Sequence, residues 1–137
     1  MGTFGTGPFG SDGAEDLLDH LASQAPADRL ATVEHMLSTV LRDPDALMRT
    51  VFPDEIVACA ALVAAGLPNG HRLHRAAGAA QLGPAPNLAP LALRALSRVA
   101  GTDGPWMRDW VDPQDANDAQ QTIDALVAVL RSSAQQE

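Results

Sequence analysis

Four histidines, one cysteine and an early run of carboxylates are the side chains here with chemistry to offer. Acid–base catalysis or metal binding requires that such groups converge. His71 and His74 lie three residues apart and could share a metal on a helical turn, but two ligands leave a zinc site incomplete. Cys59, the only thiol, sits inside an apolar run and reads as a small hydrophobe. A reactive thiolate needs exposure and nearby positive charge, and that run supplies neither. His20 and His35 have no neighbouring Ser or Cys to activate; His35 falls on the polar side of its segment, and His20, beside Leu21, could be partly buried. No catalytic residue, metal site or cofactor is therefore expected. His71, Arg72, His74 and Arg75 read as a basic, pH-sensitive surface patch, the contact point for an anionic ligand or partner. Asp12, Glu15, Asp16 and Asp19 form an acidic face that could draw Ca²⁺, Mg²⁺ or a basic partner, or be merely solvated. Gly5-Thr6-Gly7-Pro8-Phe9-Gly10 matches the dinucleotide pattern GxGxxG, but no strand precedes it and no βαβ unit follows. It is not a cofactor site.

The elements that must position these groups read as helices. The run Ile56–Ala65, IVACAALVAA, carries no charge through Gly66 and is apolar on every side. Such a helix lies inside something, and ten residues are too few to cross a bilayer, which takes about 20. Helix one starts near Ser11 or Asp12, with Asp12 and Glu15 as a capping box and Leu17, Leu18 and Leu21 as its apolar stripe. The cleanest periodicity is Ala27–Arg42, with Leu30, Val33, Met36, Leu37, Val40 and Leu41 on one side. Asp43-Pro44 opens a short helix to Thr50, and Phe52-Pro53-Asp54-Glu55 repeats that start signal before the apolar run. Leu88–Ala100 buries Leu91, Ala95, Leu96 and Val99, turns Arg94 and Arg98 outward, and stops at Gly101. Trp106 and Trp110 follow as packing residues or interface anchors. Asp112-Pro113 starts the last helix, which runs to Arg131 and buries Ala119, Ile123, Leu126, Val127 and Leu130. The expected fold is all-α: a compact bundle of about five to six helices around a buried central helix, residues 54–66, in one domain spanning 1–137. Residues 1–11 form an extended Gly-rich segment anchored by Phe4 and Phe9, 66–90 a long irregular loop, and 132–137 a frayed tail.

Composition sets the outer bounds. The chain is 46% hydrophobic but only 4% aromatic, so Ala and Leu supply the apolar mass, and both favour helix. A single cysteine rules out an internal disulfide, and the N-terminus shows no secretory pattern, which points to the cytoplasm. The net charge of −8 argues against generic nucleic-acid binding. The charge is also unevenly spread: residues 1–55 carry −7, residues 56–102 carry +4 with no acid at all, and residues 103–137 carry −5.

The opening MGTFGTGPFGSDGAEDL resembles the "MGTWGTGPFDNDxAADF" opening of the bacterial family known as domain of unknown function 4259. IVACAALVAAGL resembles that family's "AIAAAALVAA" segment, LAPLALRALSRVAG is similar to its "LRALAVRALDRVL" segment, and Met107-Arg108-Asp109-Trp110 falls where the family often has a tryptophan. Phe4 stands for the usual Trp, Gly10 for the usual Asp, and a tryptophan common near the end is absent. The resemblance implies a small bacterial protein of a kind common in actinobacteria. It brings no established activity and no site residues.

Charge segregation without a convergent catalytic set favours a non-catalytic acidic protein that binds another protein through a basic surface, in the manner of an inhibitor or immunity factor. The acidic face of helix one would be the contact. Two alternatives are an enzyme using His and Asp groups, which requires a pocket where a His and two carboxylates meet, and a homo-oligomeric structural protein. Neither nucleic acid nor membrane is an expected partner.

Overall fold

The computed structural model describes residues 9, 12–43, 51–67, 70, 73, 75, 78–82, 85–100, 106 and 112–135. Five α-helices lie among them: α1 (Asp12–Ala22), α2 (Pro26–Arg42), α3 (Pro53–Ala65), α4 (Ala89–Ala100) and α5 (Pro113–Gln135). Short 3₁₀ turns cover Gly78–Ala80 and Pro86–Leu88, and no strand occurs among the described residues. The fold is all-α and compact. The short helix read at 44–50, Phe4 and Trp110 lie outside the described residues; Phe9 packs, half-buried, against the core.

Every residue of α3 from Ile56 through Ala65 is buried. The helix packs most extensively on α4 and also against α1, α2 and α5. It begins where the sequence offers the means to begin. Pro53 occupies the first turn, where its missing N–H costs nothing. Asp54 and Glu55 set negative charge at the positive end of the helix dipole. The Phe52 N–H donates to Glu55 Oε1 at 3.0 Å, half of a capping box, since a phenyl ring cannot supply the reciprocal acceptor. At the other end the Gly66 N–H donates to the Val63 carbonyl at 3.2 Å and the Leu67 N–H to that of Ala64 at 3.0 Å, so the last turn tightens into 3₁₀ geometry. The side chains of Ile56, Val57, Leu62 and Val63 are each at most 1% exposed, which stabilises the fold by about 1.5–3 kcal/mol apiece.

The neighbouring helices turn their apolar faces inward. In α1, Ala14, Leu17 and Leu21 are buried and Leu18 is half-buried. In α2, Val33, Leu37 and Val40 are buried, with Leu30, Met36 and Leu41 packed beside them. α4 buries Ala89, Ala92, Ala95, Leu96, Val99 and Ala100, and Leu91, expected inside, is only half-buried. Alanine dominates the buried faces of both α3 and α4, and small side chains allow two helices to approach closely. α5 contributes Ala119, Ile123, Leu126 and Leu130, with Val127 half-buried. It starts where Asp112 Oδ1 accepts the Gln114 N–H at 2.8 Å. It runs past Arg131 to Gln135, because Ser132–Gln135 contains no glycine or proline to stop it. Between α3 and α4 the chain is not a bare surface connection: Leu67, Ala80, Leu82, Ala85 and Leu88 all enter the core. Trp106 joins it at 4% exposed.

Two contacts fix the connections. Arg29, in the first turns of α2, donates from Nε to the carbonyls of Leu21 (2.7 Å) and Gln24 (3.1 Å), and from Nη1 to that of Gln81 (3.0 Å). One guanidinium thus satisfies backbone at the end of α1, where cationic charge suits the dipole, and ties that corner to the chain beyond the first 3₁₀ turn. Gly70 lies hard against the end of α3. A Cβ there would overlap the Ala64 carbonyl oxygen and lie 2.7 Å from its carbon and 3.1 Å from Ala65 Cα. Backbone on a buried helix cannot step aside, so Gly70→Ala should destabilise the protein by about 1–3 kcal/mol, the usual range for overpacking. In urea unfolding this appears as a lower midpoint with an unchanged slope.

Candidate functional site

The residues singled out for chemistry do not come together as one group. Asp12 opens α1, while Glu15, Asp16 and Asp19 are exposed along it. Arg75 is helical and exposed; His71, Arg72 and His74 lie outside the described residues. His35 is exposed on α2 as expected. His20, which its place beside Leu21 left open to partial burial, is exposed. The buried face of α1 is set by Ala14, Leu17 and Leu21, and His20 projects about a quarter-turn away from it. The nearest serine contact involves the backbone, with Ser23 Oγ donating to the His20 carbonyl at 2.6 Å. Among the described residues no group of three or more His, Cys, Asp or Glu side chains is placed to hold a metal ion.

Cys59 is fully buried on α3, and its Sγ lies 3.8 Å from Met36 Sδ on α2. Burial in this apolar setting, with Glu55 one turn away, pushes the thiol far above its ordinary range. It is therefore a packed, neutral thiol. Iodoacetamide at neutral pH should leave the native chain unlabelled, while the urea-unfolded chain is alkylated within minutes; labelling at comparable rates in both states contradicts this burial.

The charged groups that the fold does bring together are carboxylates. At the start of α3, Asp54 and Glu55 face α1. Gly13 of α1 lies so close that a Cβ on it would meet the Asp54 carboxylate, 3.1 Å from Cγ. Asp54 Oδ1 accepts the Glu55 N–H at 3.0 Å. Partial burial raises the Glu55 carboxyl above the usual 4.5, the Phe52 N–H partly offsets this, and the negative charges of Asp54 and Asp16 add to the rise. The acidic face of α1 thus continues onto the first turn of α3. In the sequence the two stretches stand apart: 38 positions part Asp16 from Asp54, and no local pattern links them.

The model of the family described as Domain of unknown function (DUF4259) matches residues 2–122. The chain belongs to this family. Searches of the curated proteins and of the solved structures each found no match. No helix among the described residues of this family member is long and apolar enough to cross a membrane.

The crowding at Glu55 has a pH consequence. A carboxyl whose folded pKa exceeds its unfolded value binds more protons in the native state, so its contribution to stability is complete below 4.5 and is lost as pH rises through the folded pKa. Glu55→Gln keeps an oxygen that can accept the Phe52 N–H but carries no charge. Paired urea titrations should show Gln gaining on Glu in stability between pH 4 and pH 7. A difference that is flat with pH, or that runs the other way, contradicts the crowding.

Proposed function

We propose that this chain is a non-catalytic acidic protein that binds another protein through a basic surface, in the manner of an inhibitor or immunity factor. In this reading it is a bacterial protein, actinobacterial by its sequence resemblance, and works in the cytoplasm as a single domain with α3 as its central helix. The observation that supports the binding role is the shared acidic surface of α1 and α3. Glu15, Asp16 and Asp19 are exposed on one helix, and Asp16 lies close enough to Glu55 on another to act on its ionisation. Like charges held near one another destabilise the isolated protein and are relieved when a cationic surface docks on them. A fold that keeps them adjacent is therefore matched to a basic partner.

Exposed ion pairs contribute only about 0–1 kcal/mol each, so the face must act as an array and single substitutions are weak probes. The test is an affinity capture from native lysate with the tagged chain and with a Glu15→Arg, Asp16→Arg, Asp19→Arg variant. The wild type should retain a specific basic protein that elutes with salt, and the variant should retain at least about tenfold less, as expected for the loss of several contacts and the gain of repulsion. Recovery of the bait alone in both cases, or equal capture by both, overturns the reading.

A further inference from the structure

The acid-free stretch 56–102 has a structural counterpart on α4. Arg94 and Arg98 are both exposed. No carboxylate of α3 or α4 beyond the first turn of α3 exists to neutralise them. Among the described residues, no ion pair or hydrogen bond of either side chain is seen. On α1, Glu15 and Asp19 are likewise exposed. Each pair is four residues apart, which on a helix is about 6 Å along the axis, so the two spacings match. Both α1 and α4 pack on α3, yet neither packs substantially on the other, so the two charged faces belong to separate parts of the surface. A second copy of the chain offers each face its complement.

We propose that the exposed arginine face of α4 docks on the acidic face of α1 in a second copy of this chain, Arg94 and Arg98 lying along Glu15 and Asp19 as two ion pairs formed in one register. The faces differ, so the contact is head-to-tail, and each added copy again presents one free face of each sign. The net charge of −8 opposes association at low ionic strength. At physiological salt the screening length is about 8 Å, so repulsion between whole molecules fades while pairs in contact persist. Association is consequently weak, oriented and strongest at intermediate salt. It also covers the surface offered to a basic partner, so self-association and partner binding compete. The self-contact itself needs no other protein, so it stands or falls independently of the lysate capture.

Sedimentation velocity on the purified full-length chain tests this across concentrations up to about millimolar and across salt. The mass should rise with concentration near 0.15 M salt without levelling at a dimer, and fall back to monomer near 1 M, where screening reaches contact distance. Arg94→Glu with Arg98→Glu, and separately Glu15→Arg with Asp19→Arg, should each weaken association at least about tenfold. An equimolar mixture of the two variants should restore it, because each then offers what the other lacks. All four positions are exposed, and circular dichroism verifies that both variants remain folded. A strictly monomeric wild type, association that survives either charge reversal, or a mixture that stays monomeric overturns the proposal.

Discussion

A helix with no polar face dictates the rest of this molecule. Ile56–Ala65 cannot be solvated on any side, so its neighbours must each present an apolar stripe to it. The demand is met mostly with alanine, valine and leucine, which pack closely and carry no polar atom that burial would strand. Where the chain runs past the end of this helix the fit leaves no room even for a methyl group at position 70. Tightness there and the neutrality of Cys59 are two effects of one cause: a solvent-free interior that tolerates neither extra volume nor charge.

Excluding charge from the interior concentrates it outside, and the order of the chain decides where. Acids are confined to the two ends of the sequence and arginines dominate the middle. The arginines of α4 and the acids of α1 thus stand on two helices that both pack on α3 and scarcely on each other. The exception is the start of α3, where Asp54 and Glu55 serve the helix dipole and yet lie near Asp16. Helix capping and surface repulsion conflict at Glu55: the Phe52 N–H favours its charged form, while burial and the two neighbouring carboxylates oppose it. Burial is the larger effect, and so the carboxyl is raised.

Much of the architecture was legible because local chemistry announced it. α2 begins within one residue of the start implied by its periodicity, and α5 starts where Asp112-Pro113 says it should. The start of α3 was written in Pro53, Asp54 and Glu55. What stayed hidden is non-local. Arg29 looks like any charged residue in a first turn, and its role depends on a carbonyl 52 positions away. Gly70 sits among other glycines and prolines, and only its proximity to Ala64 gives it weight. The junction of Asp16 with Glu55 is of the same kind, a product of helix packing that no window of sequence contains. His20 is a simpler case: adjacency to Leu21 says little about burial, and the helical phase places it on the flank of the buried stripe.

The same physics explains why no individual residue stood out as functional. An exposed charge pair is worth about 1 kcal/mol at most, far below the roughly 4–15 kcal/mol that association costs, so no one carboxylate on α1 can carry recognition. On the proposed reading, specificity resides in the arrangement: several weak charges held in register by helices whose positions α3 fixes. Disturbing the core then alters binding without touching the surface, because rotating α1 on α3 by one residue's worth of helical phase would carry Glu15 and Asp19 about 100° around the axis. Selection for binding would therefore act on the packing of α1 against α3 as strongly as on the acids themselves. Gly13 lies at that junction: a Cβ there would meet the Asp54 carboxylate, so a larger residue would have to displace that side chain from the place where the two helices meet.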